Sequence, residues 1–328
     1  MKKLIYSLAT LAIVLFVSSC TKSGADLDDS ATVTFSVSVP SVMQTKAIAD
    51  GKNTDHLYYQ VFDANYEKRL AFGETMGEID LQEDRMTFTV SLKLVIDQTY
   101  GIVFWAQKDG ADYYDLTDLR KVTVNDDYYK FNANDESRAA FYASLQFKTN
   151  VNGQPYDLNG NVIDYVALTR PFAQLNLGTD SLVSSLTEQI AVDSTTVTVS
   201  NLANVFNTVD KVGEGDVSVR FVATATPNGS VDNTDQLLVV KAGASTASYH
   251  WLGMNYLIAR GNQKDMVDVT AEIFTNAGKV SHEISNVPLQ ENYRTNLIGN
   301  FLIAGVKFDI YVDKNFNPDQ DEFNKEIN

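Results

Sequence analysis

The sequence predicts an all-β protein built as two tandem β-sandwiches, and three observations carry that expectation. Segments rich in Val, Ile, Thr and aromatic residues recur along almost the whole chain, many of them alternating apolar with polar residues. Turn formers such as Lys108-Asp109-Gly110, Asn159-Gly160-Asn161 and Asn228-Gly229-Ser230 punctuate them. The 328 residues, 44% of them apolar, suffice for two packed cores. Strands spaced in this way bury their apolar faces by pairing two sheets.

The chain opens with Lys2 and Lys3 and an apolar run over residues 4–17, too short for a comfortable membrane span, so residues 1–19 read as an export signal. The run ends in Val17-Ser18-Ser19-Cys20, which resembles a lipobox, where bacterial lipoproteins are cleaved and then lipidated, palmitate included, on the cysteine. Cys20 is the only cysteine, so the exported chain has no disulfide and its fold rests on core packing. An anchor of this kind needs no spanning segment.

Residues 20–46 read as a lipidated N-terminal segment containing the clearest strand in the sequence. Val33, Phe35, Val37 and Val39 fall on one face, with Thr34, Ser36 and Ser38 on the other. A polar stretch carrying Lys46 before Ala47 follows at once, the kind of basic site a trypsin-like protease cuts. Further strands are expected at 58–62, 86–94, 100–106, 120–124 and 173–177, then at 194–199, 217–225, 236–240, 267–274 and 306–312. One or two short helices are expected. Residues 135–145 offer Asp135 as a cap, Glu136 in the first turn and three alanines, and residues 181–190 are a second candidate. The sandwiches are then assigned to residues 47–180 and 181–314, leaving 315–328 as a polar, acidic tail.

The formal charge of −16 and pI near 4.5 exclude nucleic acid as a partner by repulsion and suit solubility at a cell surface. Chemistry is scarce. His56, His250 and His282 lie far apart and outside any metal-binding spacing, and a single cysteine rules out thiol catalysis and structural zinc. There is no G-x-S-x-G, and Gly213-Glu214-Gly215 lacks the rest of a phosphate loop. The alternate oxygens of Asp313, Asn315, Asn317, Asp319 and Asp321 depart from a calcium loop, with Pro318 at the glycine position and Asn324 at the bidentate glutamate position. No enzyme, cofactor or metal is expected.

Five segments together resemble a known family. "YGIVFWAQ" (100–107), "LTRPFAQLNLGT" (168–179), "VFNTVD" (205–210), "HWLGMNYLIA" (250–259) and "VPLQENYRTNLIGNFL" (287–302) are similar to fimbrillins and fimbrillin-like surface lipoproteins of Bacteroidales-type bacteria. The resemblance implies two transthyretin-like (Ig-like) sandwiches, a lipid anchor at the outer membrane and a place on the cell surface or in fimbriae. It also implies assembly: a surface trypsin-like protease cuts an early loop, the first strand leaves, and a strand of a neighbouring subunit replaces it. Lys46 and Ala47 match that cleavage position, although the family favours arginine there.

The residues make the scheme physically consistent. An alternating strand withdrawn from a sandwich leaves a bare backbone edge and empty apolar pockets that seek another strand. Val306, Phe308, Ile310 and Val312 alternate as the plug strand Val33, Phe35, Val37 and Val39 does, which makes them the candidate donor strand. The second reading is a non-polymerising surface lipoprotein that binds glycans or host ligands through Trp105, Trp251, Tyr113 with Tyr114 and Tyr128 with Tyr129.

Overall fold

A computed structural model describes residues 30–39, 51, 53–82, 85–125, 133–180, 183–184, 188–189, 192–224, 238–242, 245–261, 265–305, 307–314 and 321–327. Cys20, Lys46, Ala47, Val306, Tyr128 and Tyr129 lie outside them. No helix among the described residues is long and apolar enough to cross a membrane.

The first half of the chain contributes β1 (Ser30–Ser38), β2 (His56–Asp63), β3 (Arg69–Met76), β4 (Glu78–Asp80), β5 (Arg85–Val95) and β6 (Thr99–Gln107). The short β7 (Tyr114–Asp115) and β8 (Lys121–Val124) follow, then β9 (Phe141–Thr149), β10 (Pro155–Tyr156) and β11 (Val166–Ala167). A sheet ordered β11-β1-β5-β4 packs on one ordered β10-β9-β6-β2-β3. Alternation explains the layering. Met86, Phe88, Val90 and Leu92 of β5 point inward while Thr89, Ser91 and Lys93 face solvent. Phe35 of the first sheet meets Phe104 and Phe147 of the second edge-on, at ring-centroid distances of 5.7 and 4.9 Å.

The second half begins with β12 (Phe172–Thr179), β13 (Val183–Ser184), β14 (Glu188–Gln189), β15 (Val192–Leu202), β16 (Val205–Asn207), β17 (Val212–Glu214) and β18 (Val217–Thr224). It continues with β19 (Leu238–Ala242), β20 (Ser245–Ile258), β21 (Asp265–Thr275), β22 (Gly278–Leu289), β23 (Tyr293–Gly299), β24 (Phe308–Lys314) and β25 (Asp321–Ile327). A sheet ordered β19-β20-β12-β23-β24-β25 faces one ordered β18-β15-β21-β22. Leu175, Leu177, Leu297, Ile310 and Val312, all buried, project from the larger sheet.

A fifth sheet, ordered β17-β16-β8-β7, draws strands from both halves of the sequence, with Val205–Asn207 of β16 antiparallel to Lys121–Thr123 of β8. It ties the two sandwiches together by main-chain hydrogen bonds. Side chains continue the junction: Trp105 and Tyr114 contact Phe172, Tyr142 contacts Phe206, and Thr208 donates its hydroxyl to Leu119 O at 2.7 Å. This second layer explains why β6 is buried on both faces.

Among the described residues the expected helices are not formed. At 135–145 only a 3-10 turn over Glu136–Arg138 appears, with Asp135 Oδ1 accepting from Ser137 N, before β9 begins at Phe141. The ladder of β9 with β6, from Thr99↔Lys148 to Ala106↔Phe141, and the burial of Phe141 and Phe147 outweigh the helix propensity of three alanines. Within 181–190 the described residues are the two paired strands β13 and β14. Phe172–Thr179, assigned from sequence to the first sandwich, is a central strand of the larger C-terminal sheet, paired with β20 and β23. Asp321–Ile327, read as tail, pairs antiparallel with β24.

Candidate functional site: the first strand and its groove

Strand β1 runs antiparallel to β5 in an unbroken register from Ser30↔Val95 to Ser38↔Thr87. Its other edge is covered only at the end, where Val37↔Val166 and Ser38↔Ala167 pair in parallel with β11. Val39 N reaches Met86 O at 3.0 Å and completes the ladder. The strap over residues 150–168 that carries β10 and β11 also touches β1 farther back: a side chain at Gly153 (φ +73°) would press on Thr32 O at 2.0 Å, so only glycine fits there.

All four plug residues point into the core, with Val33 and Val37 at 0% and Phe35 and Val39 at 1% exposure. Thr32, Thr34 and Ser36 face solvent, and the Thr34 hydroxyl meets Ser91 Oγ at 3.0 Å. The groove that holds β1 is therefore a row of apolar pockets along β5, floored by Phe104 and Phe147, with a nine-residue main-chain edge.

The candidate donor residues sit at the other end of the chain. Phe308, Ile310 and Val312 of β24 are buried, and β24 is hydrogen-bonded on both edges, to β23 and to β25. Asp313 at 0% exposure is held by Arg294 of β23, whose Nη2 and Nε donate to Oδ2 at 2.7 and 2.8 Å, and by Asn296 Nδ2 at 2.9 Å. Asn176 Nδ2 of β12 extends this polar chain to Asn296 Oδ1 at 2.8 Å. Asp313, read as one of five alternating oxygens, is thus committed to an internal ion pair.

The other singled-out residues scatter. Trp105 is at 0% exposure with its indole N–H on Gln107 Oε1, and Trp251 and Tyr114 are buried too, so none of the three offers a ring to a sugar. His56 lies between Glu74 Oε2 (3.1 Å) and Asp109 Oδ1 (2.9 Å), stacked on Tyr58. His282 is buried among Phe301 and Phe308, with Nε2 at 2.9 Å from Phe301 O. Among the described residues no group of three or more His, Cys, Asp or Glu side chains is placed to hold a metal.

Nothing among curated protein sequences matches the chain. Solved structures do. The tip fimbrial protein Mfa3 of Porphyromonas gingivalis is 13% identical over 86% of this chain and 99% of its own, with a TM-score of 0.46. A fimbrial assembly protein of Parabacteroides distasonis is 12% identical over 91% of this chain and 100% of its own, with a TM-score of 0.44. A Bacteroides thetaiotaomicron protein described as a candidate polysaccharide binder is 14% identical over 90% and 98%, with a TM-score of 0.49. These structural neighbours are described as fimbrial and polysaccharide-binding proteins, from Bacteroidales. The family of unknown function DUF6562 matches residues 25–328, and the chain belongs to that family.

Proposed function

We propose that this chain is a structural or accessory subunit of a cell-surface fimbria, exported as a lipoprotein through Cys20, in which β1 is a removable plug. Cleavage between Lys46 and Ala47 frees the plug, and a strand from a neighbouring subunit takes its place. The observation that carries the reading is the lopsided seating of β1: a full ladder to β5, two pairings to β11, and four side chains sunk in the core. Leaving that groove empty exposes a bare strand edge and four apolar pockets. Each pocket filled is worth about 1.5 to 3 kcal/mol, so a strand of the same pattern binds tightly.

At the donor end, β24 has the matching pattern but is locked on both edges and by Asp313. Among the described residues strand β25 terminates its sheet and pairs only with β24, so in this reading it is the segment that detaches first. In this reading the protein builds and binds rather than catalyses.

The test uses the chain from Thr21 onward, nicked briefly with trypsin and followed by N-terminal sequencing and light scattering, with uncut protein as control. Cleavage after Lys46, loss of the 21–46 peptide and concentration-dependent polymers are expected. A resistant site, or a nicked protein that sheds its plug and stays monomeric, overturns the subunit reading.

A further inference from the structure

The main-chain ladder on the outer edge of β9 is interrupted. Tyr142 exchanges both main-chain hydrogen bonds with Thr169, at 2.8 and 2.9 Å, on the side away from β6, and Lys148 pairs on that same side with Tyr156 of β10. Main-chain groups point alternately to the two edges of a strand, so the N–H and C=O of Ser144 and Gln146 face outward as well. They are paired with nothing in β10 or β11. Instead, a cleft of about 340 Å³ opens there. The strap lines one wall with Ile163 and Tyr165, β9 lines the floor, and Lys211 from the turn after β16 closes the end. Tyr165 is 62% exposed. The Tyr142 side chain is itself buried, its hydroxyl donating to Glu291 Oε1 at 2.7 Å, which fixes that end of β9.

We infer that this cleft is a binding site for the terminal one or two sugar units of a glycan. The chemistry narrows the ligand. Four outward main-chain groups demand both donors and acceptors, which a polyhydroxylated ring supplies, and the face of an exposed tyrosine suits the apolar side of a sugar. One lysine among the lining side chains is too little positive charge for a phosphorylated ligand in a chain of formal charge −16. An extended peptide is the obvious competitor for a free strand edge. Length limits it: the occupied positions at Tyr142 and Lys148 stand roughly 20 Å apart at about 3.3 Å per residue and cap both ends of the gap, so a strand longer than about five residues cannot lie along it, and the two outward positions offer a short one at most four main-chain hydrogen bonds. Only a compact ligand enters. The volume is at the lower end of small-molecule pockets, which fits one or two rings rather than a polymer lying across the surface.

This inference is independent of strand exchange and is tested on the uncut chain from Thr21 onward. Cellobiose, mannobiose, galactose, N-acetylglucosamine and sialic acid are each titrated by saturation-transfer NMR and calorimetry. At least one sugar is expected to bind, with Tyr165→Ala weakening it about tenfold, Tyr165→Phe retaining it and the distant exposed Phe72→Ala leaving it unchanged. Lys211→Ala is expected to change which sugars are preferred. No saturation transfer from any of the five at millimolar concentration, or binding indifferent to Tyr165→Ala, overturns the assignment. Because Tyr165 is exposed, its variants are expected to fold, and an unchanged melting temperature verifies this.

Discussion

Replacing Phe35 by alanine weakens the grip on β1 by an amount the structure fixes. The ring is 1% exposed and packs edge-on against Phe104 at 5.7 Å and Phe147 at 4.9 Å. Truncating such a residue costs about 3 to 5 kcal/mol. Once the chain is nicked after Lys46, β1 is held by these contacts, by the buried Val33, Val37 and Val39, by its ladder with β5 and by its two pairings with β11. At tenfold per roughly 1.4 kcal/mol, the loss becomes a release of the plug about a hundred to a few thousand times faster. The single cysteine makes this measurable: a fluorophore on Cys20 of unlipidated protein travels with the released peptide, and its anisotropy falls as the plug departs. Ser36→Ala, on the solvent face of the same strand, is the control and is expected to leave the rate within a few-fold. Equal release from the Phe35→Ala and parent proteins would refute the claim that the apolar pockets retain the strand.

Two further outcomes follow from buried charge. Arg294→Met strands the fully buried Asp313 carboxylate and is expected to cost about 3 to 5 kcal/mol in urea denaturation, whereas adding Asp313→Leu restores most of it; a double variant as unstable as the single would show that the ion pair is not the source. Burial at the junction of the two sandwiches raises the Glu291 carboxyl above its ordinary 4.5, against the opposing pull of the Tyr142 hydroxyl and Lys211. An acid with a raised folded-state pKa binds its proton more tightly when native, so its contribution to stability declines as pH climbs from about 4.5 through the folded value. Glu291→Gln keeps an acceptor for Tyr142, and its melting-temperature gain over the parent is expected to widen with pH across that window; a gain independent of pH would contradict the assignment.

Period-two alternation made β1, β5 and β24 legible, because each buries one face only and writes that fact into every second residue. The plug residues and the burial of Phe308, Ile310 and Val312 could be read in that way. Where both faces are covered the signal fades: β12 is buried throughout, including Gln174 and Asn176, so neither its sheet nor its polar network was visible. Strand β8 matches the expected 120–124, but its neighbours β7, β16 and β17, of two or three residues, are too short to show any period, so the sheet joining the sandwiches was not legible. The helix expected at 135–145 failed because local alanine propensity was weighed without the ladder waiting on β6. Tyr165 and the gap beside Ser144 left no trace in the sequence, since a cleft is a property of which ladder positions stay unpaired. The strap glycine Gly153 was equally silent, although its φ of +73° is what lets the chain press against Thr32.

The sheet shared by β8 and β16 also sets the mechanics of anything built from this protein. Two beads on a flexible cord would let a filament bend at every joint, inside each unit as well as between units. Here the beads are fused by paired backbone and by Phe172 wedged beneath Trp105 and Tyr114, so each unit is a stiff link without an elbow. In a filament assembled as proposed above, such links would bend only where one meets the next, and the inserted strand would set the give under flow.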